Sequence, residues 1–138
     1  MSKKIFTQKI AECNTDIYDK LYSLNFREYG VMRKALVNAK KYNNGLVIYI
    51  IEKNIILAWA IVYKHKNDPQ KYVKNQYKII FPHVFEVHFY VRKQYRNMGF
   101  GKILYKKAKN ICKRNNKKMK VMQHDVVSKA FFKSMRKL

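Results

Sequence analysis

Hydrophobic and polar positions in the first third of the chain predict one strand followed by two helices. Residues Lys4–Ala11 alternate weakly between polar and apolar, which predicts a short strand. The segment Asn14-Thr15-Asp16 offers N-cap side chains, and apolar residues then recur at helical spacing. A second helix is predicted to end before Asn43-Asn44-Gly45, a typical stop signal. The apolar positions of these two helices are Ile17, Leu21, Leu24, Val31, Ala35, Leu36 and Ala39.

Two continuous apolar runs follow and predict a buried hairpin. Leu46–Ile51 and Ile55–Tyr63 are rich in β-branched and aromatic residues, and the short Glu52-Lys53-Asn54 segment predicts a turn between them. Because neither run alternates with polar residues, both faces of the hairpin are expected to be buried. Trp59, within the second run, is expected to anchor the core.

The rest of the chain predicts a loop, then strand, helix, strand and helix. Lys64–Lys78 holds five lysines and few aliphatic residues, so it is predicted to be a long exposed loop, either functional or a mobile insertion. Val84–Val91 predicts a strand, and Phe100–Ile111 predicts an amphipathic helix with lysines on its polar face. Met119–His124 and Val126–Met135 predict a further strand and a final helix. The resulting order, β-α-α-β-β-β-α-β-α, indicates an α/β (α+β) fold.

Length and composition favour a single globular domain over residues 1–138. A hydrophobic fraction of 48% is enough to bury a core, which excludes wholesale disorder. Lys+Arg 31 against Asp+Glu 8 gives a formal net charge of +23. This excess favours a polyanionic partner, namely nucleic acid, an acidic protein surface or a phosphate-rich cofactor. A coding bias towards lysine would also raise the charge, so the charge alone leaves a binding role open.

Several function classes are excluded by what the pattern lacks. Neither apolar run approaches the roughly 20 residues that span a bilayer, and no apolar stretch follows the basic N-terminus, so neither a membrane partner nor a signal peptide is expected. Cys13 and Cys112 predict free thiols in a reducing compartment, hence a cytoplasmic location, in the host cytoplasm for a viral protein. His65, His83 and His124 form no set with carboxylates or cysteines, so no metal is expected.

The strongest chemical signal is the motif Arg96-x-x-Gly99-x-Gly101, which joins the strand ending at Val91 to the amphipathic helix. Glycine allows a tight turn and a close approach of the backbone to a ligand. The first amides of a helix have no internal acceptors, and the helix dipole adds partial positive charge. The motif therefore predicts a cradle for a pyrophosphate.

This segment resembles the signature of the GNAT superfamily of acyl-CoA-dependent N-acetyltransferases, [Gln/Arg]-x-x-Gly-x-[Gly/Ala], five residues beyond the hydrophobic end of the fourth strand. The spacing from Val91 to Arg96 matches, and residues 84–113 carry the specific part of a resemblance that spans most of the chain. It implies a GNAT-like mixed sheet and acetyl-CoA as cosubstrate. The residues that it implies for cofactor binding are Phe89, Tyr90 and Val91 along the pantetheine arm, Arg96, Asn97, Met98, Gly99, Phe100, Gly101 and Lys102 around the pyrophosphate, and Ser128 in the final helix.

The chain also departs from the family pattern. Phe132 stands where many members have a tyrosine proposed to protonate the leaving thiolate, Asp125 replaces an asparagine, and Arg136 replaces a glycine. The sequence stops at Leu138, just after the final predicted helix, so the fold is expected to be truncated without the usual two closing strands. A homodimer or a substrate protein could then cover the open sheet edge.

Two residues are candidates for accepting the proton of an attacking amine. Glu86 and His88 lie two residues apart on the predicted strand, so alternation places both on one face. A protonated lysine-type acceptor, with an unperturbed pKa of about 10.4, must lose a proton before attack. Glu86 could instead be a surface residue and His88 a core histidine. The resemblance implies an oxyanion donor among the backbone N–H groups near Val91, where family members carry a bulge.

These features favour an acetyl-CoA-dependent N-acetyltransferase whose acceptor is an amine, with a nucleic-acid-associated or acidic macromolecule suited to the charge. A second hypothesis is a phage-type GNAT-fold protein that modifies bases in DNA. A third is a non-catalytic, basic nucleic-acid-binding module on an acetyltransferase scaffold. Retention of CoA separates the first two from the third, and a steep salt dependence of DNA binding supports the second or third.

Overall fold

Five strands form one mixed sheet in this computed structural model, which describes residues 3–24, 30–64 and 84–121 together with residues 133 and 135. The strand order follows the chain, with antiparallel pairing between the first four strands and parallel pairing between the last two. The strands are β1 (Lys4–Lys9), β2 (Gly45–Glu52), β3 (Ile55–Lys64), β4 (Val84–Val91) and β5 (Lys118–Val121).

Three helices are found in the described residues: α1 (Thr15–Leu24), α2 (Gly30–Tyr42) and α3 (Phe100–Arg114). Short 3-10 turns occupy Ile10–Glu12 and Lys93–Tyr95. None of the helices in the described part of the chain is long and apolar enough to cross a membrane.

Side-chain capping and close packing explain where α1 begins and where α2 gives way to β2. The Ile17 N–H donates to the Asn14 side chain at 2.8 Å, which confirms the predicted N-cap. After α2, the Asn44 N–H donates to the Ala39 carbonyl at 3.1 Å, and the next residue, Gly45, enters the sheet. A Cβ at Gly45 would lie 2.6 Å from the Ala39 Cβ, so only glycine fits this close approach without movement.

The predicted hairpin is confirmed as β2 and β3. Lys53 and Asn54 connect the strands with positive φ angles of 50° and 66°, the backbone twist that suits a two-residue hairpin turn. Its alternate residues are buried against two different helix layers, as expected.

Helices cover both faces of the sheet. The core between the sheet and α1 and α2 contains Trp59, which is fully buried, and Tyr90. The core between the sheet and α3 contains Phe85 and Val87 of β4 together with Leu104 of α3. Even-numbered residues of β4 therefore face α1 and α2, and odd-numbered residues face α3.

The predicted mixed α+β architecture is confirmed over the described residues. Two predictions, the Lys64–Lys78 loop and the final helix Val126–Met135, fall largely outside the described residues, although residues 133 and 135 are helical. The strand predicted at Met119–His124 begins at Lys118 and is described as far as Val121.

Candidate active site

β4 has a strand partner along only part of one side. Its pairing with β3 extends from Phe85 to Val91, whereas its parallel pairing with β5 extends only from Val84 to Val87. Within the described residues, the stretch 88–91 of β4 therefore has a neighbouring strand only on its β3 side. Among the residues that the structure describes, this half-paired stretch leaves a gap beside β4, directly before the glycine motif.

The hydrogen-bond alternation of an antiparallel pair shows which backbone groups point into this gap. The Arg92 N–H donates to the Leu57 carbonyl at 2.9 Å, so Arg92 lies in a hydrogen-bonded pair with β3. Such pairs alternate along the strand, which directs the backbone groups of Tyr90 and His88 towards β3 as well. The backbone groups of Phe89 and Val91 consequently point away from β3 and into the gap.

The turn after β4 is closed by a hydrogen bond from a charged side chain, and two of its residues have left-handed backbone conformations. The Arg96 Nε donates to the Val91 carbonyl at 2.9 Å, and its guanidinium lies 5.7 Å from the Tyr90 ring centroid. Asn97 and Gly99 have φ angles of 67° and 88°. Nothing lies within 4 Å of a Cβ built on Gly99, so its backbone conformation, not a lack of space, is what favours glycine there.

The N-terminus of α3 presents amide donors that no carbonyl of the helix accepts. The first helical hydrogen bond runs from the Ile103 N–H to the Gly99 carbonyl at 3.1 Å, so the N–H groups of Phe100, Gly101 and Lys102 have no acceptor within the helix. No acidic residue occurs in the first turn, and Gly99 provides no side-chain cap. Together with the helix dipole and the Lys102 side chain, these donors suit a bound phosphate.

The residues predicted to bind the cofactor occupy different positions around this site. Phe89 is half-buried on the α3 face, and its ring centroid lies 6.0 Å from that of Tyr105. Tyr90 is buried in the core on the opposite face, while Met98 is 61% exposed. Ser128 lies outside the described residues.

Glu86 and His88 share the face that packs against α1 and α2, in agreement with the alternation predicted for them. His88 is 3% exposed, so its side chain is part of the protein interior. Glu86 is only partly buried and lies opposite Tyr63 in the register between β3 and β4. Of these two candidates, Glu86 is therefore the more accessible to a substrate.

A polar cluster that the sequence did not predict joins Glu86, Tyr63 and Asn44, with Tyr63 between the other two. Burial raises the pKa of Tyr63 above its ordinary value of 10.0, a hydrogen bond with the Asn44 side chain lowers it, and the nearby negative charge of Glu86 raises it. The Asn44 Oδ1 is buried and accepts no hydrogen bond from the described residues. Tyr63 and Asn44 are distant from Glu86 in sequence, and only the strand register brings the three together.

The bulge expected near Val91 is not found in the ladder with β3. Pairing keeps one register from Ala58 opposite Val91 to Lys64 opposite Phe85. The irregularity in this sheet instead falls between Ile50 and Ile51, where β2 pairs with β3. The expectation was therefore wrong for this ladder, and the Val91 N–H points into the gap through ordinary strand alternation.

A family model identifies the family, and solved structures share the fold. The model of the acetyltransferase (GNAT) family matches residues 8–135, and this protein belongs to that family. The fold resembles glucosamine-6-phosphate N-acetyltransferase from Arabidopsis thaliana (16% identity, 99% of this chain and 91% of that chain, TM-score 0.60).

Two further structures with the same fold contain the cofactor. One is a "predicted acetyltransferase" with acetyl-CoA from Clostridium acetobutylicum (14% identity, 96% and 88% of the two chains, TM-score 0.64). The other is the aminoglycoside N-acetyltransferase AAC(6')-Iy in complex with CoA (9% identity, 98% and 88%, TM-score 0.66). A search of curated protein sequences found no match.

Proposed function

We propose that this protein is an acetyl-CoA-dependent N-acetyltransferase that acts on an amine. The observation that carries the proposal is the combination of the half-paired stretch of β4 with the amide donors at the N-terminus of α3. The gap accepts an extended chain that pairs with β4, and the helix N-terminus accepts a phosphate at the end of that chain.

The backbone would bind the donor molecule in two ways. The N–H groups of Phe100, Gly101 and Lys102 would donate to the pyrophosphate oxygens. The backbone N–H and carbonyl of Phe89 would pair with the amides of the pantetheine arm, as an added strand would. The hydrogen bond from Arg96 to the Val91 carbonyl holds the turn against β4, and so fixes the distance between these two binding regions.

When bound, acetyl-CoA supplies a thioester carbonyl that an amine can attack directly. The Val91 N–H would stabilise negative charge on that carbonyl oxygen, because it points into the gap. Glu86 would accept the proton of the amine, directly or through water. We assign this role to Glu86 because His88 is buried in the protein interior, whereas Glu86 is only partly buried and more accessible to a substrate.

Thermal unfolding with and without acetyl-CoA tests the proposal, with ATP as a control for general attraction of phosphates. A ligand that binds only the folded protein raises the unfolding midpoint. We expect acetyl-CoA to raise it well beyond the effect of ATP. Equal shifts with both compounds, or no shift with acetyl-CoA, would contradict the proposal.

Two charge-reversal variants test whether acetyl-CoA raises the unfolding midpoint by binding at the N-terminus of α3. Lys102→Glu places a negative charge at the proposed pyrophosphate site, at a position in the first turn of α3 where acids favour the helix. Lys34→Glu makes the same charge change at an exposed position of α2. We expect only Lys102→Glu to abolish most of the shift caused by acetyl-CoA, and a similar loss in both variants would contradict the assignment.

A further inference from the structure

The outer surface of α3 and the segment that follows it carry many cations and no acids. Between Glu86 and Asp125 the sequence contains no Asp or Glu. The layer on the other face of the sheet is mixed, because Asp16 and Asp19 of α1 accompany the lysines there. The exposed cations of α3 and β5 are Lys102, Lys106, Lys107, Lys109, Lys113, Arg114, Lys118 and Lys120.

A groove of about 400 Å³ lies between the edge strand β1 and the C-terminal half of α3. Thr7 of β1 pairs with Ile48, which belongs to the core on the α3 face, so the Thr7 side chain faces α3. Among the described residues, the groove thus combines three cations, a hydroxyl group, an amide group and one apolar side chain, and no carboxylate. Its lining residues are Thr7, Lys107, Asn110, Ile111, Lys113 and Arg114.

This groove is distinct from the cofactor cradle. Lys107 and Arg114 follow Gly99 by 8 and 15 residues on the same helix. At 1.5 Å per residue, they lie about 12 and 22 Å further along the helix axis. The pyrophosphate at the N-terminus of α3 therefore does not account for the cations of the groove.

We propose that this groove, extended by the lysines on the outer surface of α3, binds the phosphodiester backbone of nucleic acid. Lys106, Lys109 and Lys113 recur at intervals of three and four residues, which places them along one stripe about 11 Å long, beyond the cradle. A linear array of cations suits a polymer of phosphates better than a single phosphate group. The surface goes beyond the proposed acetyl transfer, since it would hold the enzyme beside amine acceptors that are themselves bound to nucleic acid.

The composition of the surface favours nucleic acid over an acidic protein. Lysine is depleted in protein–protein interfaces, where aromatic residues and methionine are enriched. Protein–nucleic acid interfaces are much more positively charged, and their hydroxyl and amide side chains contact phosphate and sugar groups. Thr7 and Asn110 supply those two groups beside Lys107, Lys113 and Arg114.

Fluorescence anisotropy with the full chain tests the proposal. The probes are a labelled 20-base-pair DNA duplex and a labelled single-stranded 20-nucleotide RNA, each titrated at several salt concentrations. The test variant is Lys107→Gln/Lys113→Gln/Arg114→Gln. For duplex DNA, each phosphate contact contributes about −0.9 to the slope of log K against log salt, so losing three contacts should make the slope shallower by about 2.7.

A matched control removes three charges from the other face of the sheet. Lys34→Gln/Lys40→Gln/Lys41→Gln changes exposed residues of α2 and lowers the net charge by the same amount. We expect this control to keep most of the wild-type slope and affinity, whereas the groove variant loses at least tenfold in affinity at moderate salt. Both variants should keep the shift in unfolding midpoint caused by acetyl-CoA, which tests the cradle separately.

Four outcomes would overturn the proposal. The first is absence of binding by the wild-type protein to both probes, and the second is unchanged binding by the groove variant. The third is an equal loss in the groove and control variants, which would assign the binding to net charge alone. The fourth is competition by another ligand. Either saturating acetyl-CoA displaces a probe, or polyglutamate displaces it as effectively as unlabelled DNA does. Binding to either probe with the expected difference between variants supports it, and the tighter probe identifies DNA or RNA.

Discussion

The side chain of Arg96 closes the turn after β4 by donating from its Nε to the carbonyl of Val91 at 2.9 Å. Val91 is the last residue of β4, and its N–H points into the gap beside that strand. One hydrogen bond thus connects the pairing region for an extended ligand to the turn that precedes the phosphate cradle. The arginine at the start of the motif therefore has a positioning role in this arrangement.

Arg96→Ala should weaken acetyl-CoA binding more than it lowers stability. Hydrogen bonds from charged donors contribute about 1.5–3 kcal/mol, so we expect affinity to fall roughly 10- to 100-fold. Isothermal calorimetry measures this change directly. Arg33→Ala is a matched control, because the Arg33 Nε also donates to a backbone carbonyl, that of Tyr22 at 3.0 Å, far from the cradle. Equal affinity losses in both variants would contradict the positioning role.

Gly99→Ala should destabilise the fold through its backbone and not through a clash. The φ angle of 88° is unfavourable for alanine by about 1–2 kcal/mol, whereas nothing lies within 4 Å of the added Cβ. We expect a lower free energy of unfolding in urea titrations. Gly99→Asn should lose less than Gly99→Ala, because asparagine tolerates left-handed angles. The reverse order would indicate a steric origin instead.

Gly45→Ala should destabilise the fold through a steric clash, in contrast to Gly99→Ala. Its Cβ would lie 2.6 Å from the Ala39 Cβ, and overpacking of this kind costs about 1–3 kcal/mol. Ala39→Gly alone should cost about 1 kcal/mol through helix propensity. The double variant should be less destabilised than the sum of the single variants, as measured by a double-mutant cycle. Simple additivity would show that the two Cβ positions do not compete.

Local signals in the sequence were sufficient for most elements, and contacts between distant segments were not predictable. The Asn14 cap, the stop before Gly45 and the hairpin all depend on neighbouring residues, and each was predicted within a few positions. The cluster of Asn44, Tyr63 and Glu86 depends on the register between strands that the sequence does not specify locally. For the same reason, alternation placed Glu86 and His88 on one face but did not show that His88 is buried.

Stability should fall as pH rises from about 9 to about 11 because of Cys13. Burial, and secondarily the charge of Glu12, raises the pKa of the Cys13 thiol from its ordinary value of 9.0 to about 11. The unfolded chain therefore loses this proton at lower pH than the folded protein, so the stabilising contribution is complete below about pH 9 and is lost as pH approaches 11. Urea titrations across this range should show the decline.

Cys13→Ser is the comparison for the alkaline decline, because it removes the thiol but keeps a small polar group beside Gln8, whose Oε1 lies 3.4 Å from the Cys13 Sγ. The variant should show a smaller decline between pH 9 and 11 than the wild type. The alkylation rate of Cys13 in the folded protein should also keep rising beyond pH 9, since the thiolate is the reactive form. A rate that levels off near pH 9 would contradict the raised pKa.

Glu86→Gln should lower kcat while leaving acetyl-CoA affinity unchanged. The substitution keeps the shape of a side chain opposite Tyr63 but removes the group proposed to accept a proton, and general-base catalysis contributes about 10²- to 10⁴-fold. Because the amine acceptor can lose its proton to solvent at high pH, the deficit should shrink as pH rises towards 10. Assays of thiol release with a panel of amines measure both effects.

His88→Gln is the comparison: we expect it to lower the free energy of unfolding, since its side chain is buried. Two results would exclude Glu86 as the base: an unchanged kcat in Glu86→Gln, or a loss of kcat that has the same size at every pH. Acetyl transfer would then depend on an amine that has already lost its proton to solvent.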